Sequence, residues 1–195
     1  MEKEYWKAGN MLYPVPAVLV STGDMNDSNV FTVAWTGTVC TNPAMLYISV
    51  RPERYSYELI MKNKDFVVNL TTKALAYATD FSGVRSGRDI DKFEYLKLTK
   101  LKSRYVLAPS IMESPVNIEC TVNQVIPLGS HHMIIADVKG VTIDKSLLDE
   151  KGKFDLSKAD LIVYSHGEYF TLGEILGKFG YSVKNKKWEN PIYNK

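Results

Sequence analysis

The sequence predicts a mainly β protein: an antiparallel β-barrel with a few short helices. Two observations lead there. Strand-like runs of β-branched and aromatic residues recur through the first two-thirds of the chain, separated by clusters of Gly, Asn, Asp and Pro. Runs with helical apolar spacing are few, and frequent strands with few helices read as an antiparallel barrel.

The elements follow in order. Val15–Val20 is a nearly continuous apolar run opened by Pro14 and Pro16. Asn29–Trp35 alternates, with Val30, Thr32 and Ala34 on one face and Phe31, Val33 and Trp35 on the other. Leu46–Val50 and Phe66–Leu70 are short and β-rich, Val116–Ile126 and Met133–Val141 are longer, and Leu161–Tyr164 is the last short run. Turn clusters fall at Gly23–Asp27, Thr41–Pro43 and Pro127–Ser130. Helices are expected at Ser56–Asn63, where Tyr57, Ile60 and Met61 share a face, and at Thr71–Phe81, capped by Thr71 or Thr72. Ile143–Lys158 reads as a charged excursion with one helical turn. The tail Tyr181–Lys195 is too polar to fold alone, and its Trp188 and Tyr193 are expected to pack on a neighbouring surface or a second subunit.

Composition narrows the function. A chain of 195 residues suits one domain, spanning 1–195, with a real core. A net charge of +2 is too small to argue for nucleic acid, and no apolar run approaches a membrane span. The charged N-terminus lacks a signal-peptide core, so a cytoplasmic protein is expected. Cys40 and Cys120 read as free thiols in strands. Neither a dinucleotide fingerprint, a phosphate-binding P-loop nor a nucleophile elbow occurs. His131 and His132 are adjacent and would point to opposite faces of a strand, which argues against a shared metal site. No metal is expected.

The informative stretch is Arg51-Pro52-Glu53-Arg54-Tyr55-Ser56, between the strand Met45–Val50 and the helix that follows. Two arginines and a hydroxyl at a helix start suit an oxyanion, most simply a phosphate. The helix offers unpaired N–H groups and the positive end of its dipole, and Ser56 can serve as N-cap or ligand. Read alone, the turn reads first as a solvated one with ordinary surface arginines.

Several pieces then occur in a recognisable order. They are Thr32–Thr38, Val39–Pro43, Ile48–Ser56 with its helix, Asp65–Asn69, Phe81-Ser82-Gly83, Asp91-Lys92-Phe93, and Leu128–His131 leading into Ile134–Val138. In this order the chain resembles the flavin reductase-like family of FMN-binding split barrels, the group that includes flavoredoxin. The resemblance runs from Val15 to Val141, and more weakly to Ser182. It departs from the family at Ser130, where Asp is common, and at Ala136-Asp137, in place of Gly-Glu.

The resemblance implies a homodimer holding non-covalent FMN at its interface. Arg51, Arg54, Tyr55 and Ser56 would meet the FMN phosphate. Ser82 and Lys92, with the flanking Phe81 and Gly83, would approach the phosphate or the ribityl chain. Trp35, Thr36, Gly37, Thr38 and Val39 would line the isoalloxazine through backbone groups, Gly37 allowing close approach to a ring. His131 is a candidate for a role beside the flavin or the nicotinamide. The implied function is oxidoreduction, with electrons arriving from NADH or NADPH and leaving to free flavin, a metal chelate or a protein acceptor. The alternatives are a flavoredoxin-like carrier without an efficient nicotinamide reaction, and a barrel binding module without flavin. Because the cofactor carries the hard chemistry, the lack of a catalytic triad weighs little.

Overall fold

The computed structural model describes residues 1–183; Lys184, Lys186, Lys187, Trp188, Pro191 and Tyr193 of the expected packing tail lie outside the described residues. Twelve strands and three α-helices occur among the described residues. They are β1 (Val15–Pro16), β2 (Val18–Gly23), β3 (Ser28–Val33), β4 (Thr36–Thr41), β5 (Ala44–Val50), α1 (Tyr55–Asn63), β6 (Asp65–Asn69), α2 (Ala76–Val84) and α3 (Lys92–Tyr95). Then come β7 (Lys100–Leu101), β8 (Ser110–Ile111), β9 (Val116–Leu128), β10 (His131–Ile143), β11 (Ile162–Ser165) and β12 (Glu168–Thr171). No helix among the described residues is long and apolar enough to cross a membrane.

Seven strands form one antiparallel sheet in the order β3-β2-β6-β9-β10-β5-β4. Its two edge strands, β3 and β4, are successive in the chain and joined only by Ala34 and Trp35. Laid flat, seven strands would separate those edges by about 29 Å. The chain from Val33 to Thr36 spans at most about 11 Å. The sheet must therefore curl until its edges meet; the Ser49 N–H on β5 donates to the Trp35 carbonyl at 2.8 Å and carries the β4–β5 ladder into this short link. This is the split barrel. Val20, Phe31, Ile48, Phe66, Cys120 and Ile134 fill its interior. Leu19, on the other face of β2, packs instead with Val30, Leu75, Phe93 and Ile111 beneath α2 and α3. β2 is buried on both faces, which is why its sequence reads as a continuous apolar run.

The structure divides the expected Val15–Val20 strand at Ala17. β1 pairs with β11 in a separate three-stranded sheet β1-β11-β12, while β2 joins the barrel. Pro14 and Pro16 have no N–H for a ladder, which confines this stretch to a short edge pairing. Two expectations at helix starts are corrected. Ser56 is not the N-cap of α1. Arg54 holds that position without a side-chain cap, and Ser56 lies inside the first turn. The helix expected at Thr71–Phe81 begins as a 3₁₀ turn, Lys73–Leu75, before α2. Thr71 caps neither of them, because its hydroxyl donates to the Ala17 carbonyl and ties this segment to the start of β2. The excursion after β10 carries two 3₁₀ turns, Lys145–Leu147 and Leu156–Ala159.

Candidate functional site

Two contiguous cavities open beside the strand-to-helix turn, with volumes of about 470 and 450 Å³. Phe31, Arg51, Arg54 and Val84 line both, so they form one groove. The position of the groove follows from the fold. β3 supplies its floor, the β5–α1 turn supplies the arginines, and the end of α2 with the loop behind it closes the far side.

The second cavity is cationic, with Arg51, Arg54, Arg85 and Lys92 set against the single carboxylate of Glu53. Arg51 pairs with Glu53 at 3.6 Å. Arg54 donates to the Gly83 carbonyl at 3.0 Å, which ties α1 to the last turn of α2. Lys92 is the most telling residue. It is 2% exposed, and its Nζ donates to the carbonyls of Val30 at 2.8 Å and Ser82 at 3.0 Å. No carboxylate pairs with it among the described residues. Burial, then the nearby Arg54 charge, lowers its pKa to about 8. A buried ammonium without a counter-charge is costly unless an anion arrives to balance it. At the same cavity the backbone N–H groups of Tyr55 and Ser56, in the first turn of α1, find no acceptor among the described residues. A phosphate fits this donor set.

Ser56 is 1% exposed and its Oγ accepts from Asn29 Nδ2 at 2.7 Å, which leaves its own O–H to donate. Gly87 packs so closely on the Asn29 side chain that a Cβ would collide with it, and this glycine lets the loop after α2 close over the cavity. Tyr55 lines the cavity with Arg88 5.2 Å above its ring, and Arg88 is itself paired with Glu58. Ser82 does not line either cavity and contributes through its carbonyl to Lys92; its buried Oγ has no partner among the described residues. Phe81 also stays outside, stacked on Tyr95 at 4.6 Å and 17° on the outer side of α2. Gly83 lines the first cavity.

The first cavity runs along Phe31–Trp35 and reaches His131. Trp35 and His131 lie 4.5 Å apart with rings tilted at 48°. Burial, then the charge of Arg51, lowers the His131 pKa, so the ring is neutral near pH 7. His132 points the other way, and its Nδ1 is 2.7 Å from the Tyr57 hydroxyl. Thr36, Gly37, Thr38 and Val39 are not brought into either cavity of the single chain. They form the start of edge strand β4. The ring that Gly37 accommodates is the chain's own Tyr47, 3.1 Å from where a Cβ would stand. Sequence reasoning missed Asn29, Asp80, Tyr13, Tyr164 and Tyr169, all of which line the groove. No local signal marks them, because distant pairings bring them together.

Fold and groove together define a split-barrel protein with an elongated groove that is cationic at one end. The family model for the flavin reductase like domain matches residues 10–173, and the chain belongs to that family. It is similar to the flavoredoxin of Desulfovibrio vulgaris (Miyazaki F), at 30% identity and a TM-score of 0.86, covering 93% of this chain and 99% of that one. Against the flavoredoxin of Methanosarcina acetivorans the identity is 26% and the TM-score 0.84, covering 93% and 98%. An FMN-binding protein of Thermus thermophilus shares the fold at 21% identity and a TM-score of 0.77, covering 91% and 99%.

Proposed function

We propose that the groove binds FMN without a covalent bond and that the protein is an FMN-dependent oxidoreductase. In this reading electrons come from NADH or NADPH and pass to free flavin, a metal chelate or a protein acceptor. The observation that carries it is the buried Lys92 ammonium, without a carboxylate partner among the described residues, beside Arg54 and the first-turn N–H groups of Tyr55 and Ser56. Those groups would hold the phosphate, and Phe31–Trp35 would place the flat ring along the first cavity. Bound FMN would supply the chemistry of hydride and electron transfer. The chain's own work is to fix the ring, limit water, and present a neutral His131 next to Trp35. The chain would act as a single domain in the cytoplasm, as a homodimer in which β4 of a second copy completes the ring site.

A flavoredoxin-like carrier is the second reading, favoured by the likeness to flavoredoxin over nearly the whole chain. The absorbance spectrum of the purified protein tests the first step, since flavin bands are expected as isolated or after FMN is added. A protein that stays colourless sinks the flavin reading and leaves the bare binding module. Rapid bleaching of the bands by NADH or NADPH in stopped flow marks a reductase, and slow bleaching marks a carrier.

A further inference from the structure

The first cavity has another wall, to which the FMN reading above gives no role. Tyr13, Tyr164, Gly167 and Tyr169 line it from the three-stranded sheet β1-β11-β12, outside the barrel. Strand pairing fixes the rings. Tyr164 faces Tyr169 across β11 and β12, and Val15 on β1 is registered against Tyr164. Tyr164 stands edge-on to Tyr13 at 6.0 Å and to Tyr169 at 5.5 Å, each at 63°. The hairpin tip is a two-residue turn, His166-Gly167, with both φ angles positive at 49° and 97°. This is the turn that matches strand twist and keeps a tip rigid. His166 stacks on Tyr13 at 5.9 Å. Tyr169 is held as a neutral phenol, its pKa raised to about 12 by burial and then by the Asp80 carboxylate. The Tyr57 hydroxyl is hydrogen-bonded to His132, but those of Tyr13 and Tyr164 have no such partner among the described residues. The wall stands outside the barrel sheet and lines the cavity with aromatic rings, two of them bearing O–H groups without a protein acceptor among the described residues.

We propose that this tyrosine wall recognises the second ligand of the site, a flat ring bearing a carbonyl oxygen. The inference rests on the FMN reading above. Aromatic faces give a planar ring contact area at little entropic cost, and phenol O–H groups donate to a carbonyl. Such a ring can come from two sources: the carboxamide-bearing nicotinamide of an electron donor, or a quinone-like electron acceptor.

The test uses the FMN-loaded protein with Tyr13→Phe and Tyr164→Phe, which keep the rings, and Tyr164→Leu, which removes one. Dissociation constants are read from perturbation of the flavin absorbance with two probes, tetrahydro-NADH, which cannot deliver hydride, and 1,4-naphthoquinone. FMN affinity is measured separately by fluorescence. The Phe variants are expected to weaken at least one probe about fivefold, the worth of one hydrogen bond, and to weaken FMN by clearly less. The probe that responds identifies the source. If neither probe binds the wild type or responds to any variant, the wall has no such role. A parallel loss of FMN overturns the proposal equally, since the tyrosines would then serve the cofactor. A wild type that takes up no FMN removes the function proposed above, and this inference with it.

Discussion

Asn29 on β3 donates its side-chain amide to Ser56 Oγ on α1 at 2.7 Å, and both side chains are buried. The bond locks the start of the helix to the barrel edge beneath the cationic cavity. Ser56→Ala would strand the Asn29 donor and is expected to cost about 1–3 kcal/mol in the apoprotein. A double-mutant cycle of Ser56→Ala with Asn29→Ala should show coupling of about 1 kcal/mol in urea denaturation. Additive losses would mean that the two side chains do not support each other.

Arg54 offers a cleaner probe of the phosphate. Among the described residues its guanidinium is anchored only to the carbonyl of half-buried Gly83, so removing it leaves the core intact. Arg54→Ala is expected to weaken FMN by about tenfold to a hundredfold, the range for a charge-assisted hydrogen bond. Riboflavin, which lacks the phosphate, should bind as before. Equal losses for both ligands, measured by flavin fluorescence, would remove Arg54 from the phosphate site.

Lys92 makes binding depend on pH. Its pKa in the free protein is about 8, below the ordinary value of 10.5. Between these values the unfolded chain holds a proton that the folded apoprotein lacks, so this group makes the apoprotein more stable as pH rises through that window. A bound phosphate favours the charged amine and reverses the preference. FMN affinity should therefore be full below pH 8 and fall above it, by up to about tenfold per unit. Lys92→Met should bind more weakly and lose that slope. A slope that survives in Lys92→Met would assign the proton to another group.

Edge strand β4 tests the second subunit. Thr38 and Val39 are exposed, Val39 at 46%, on a strand that among the described residues is hydrogen-bonded to β5 alone. If β4 completes the ring site of a partner copy, Val39→Glu should shift sedimentation from dimer to monomer and weaken FMN together. A monomer that keeps its full FMN affinity would leave Thr36–Val39 with no part in the site.

The strands legible in the sequence were those in which β-branched and apolar residues recur along nearly the whole strand. β5, β6, β9, β10 and β11 lie within a residue or two of their apolar runs. β4 reads as turn and bulge because Thr36-Gly37-Thr38 has no apolar alternation, and its edge position demands none. α3 is too short to show a helical period. In the site, Arg51 and Arg54 were legible because strand end and helix start are neighbours in the chain. The buried state of Lys92 was not. A lysine in a charged loop reads as surface, and only the reach of its Nζ to Val30, 62 residues away, puts it inside. The tyrosine wall was illegible for the same reason, since β1 and β11 come from opposite ends of the described chain.

The place of β6 in the sheet bears on how the chain is made. It lies between β2 and β9, and although it ends at Asn69, its partner β9 begins only at Val116. On a chain emerging from the ribosome, β2, β3 and β6 can pair early. The open edge of β6, with Phe66-Val67-Val68, then waits for a long stretch to be synthesised before it is covered. An apolar unpaired edge is the kind of surface that seeds intermolecular pairing. Nascent chains stalled before Val116 should therefore be the aggregation-prone species, and chains that extend past Ile143 should resist protease.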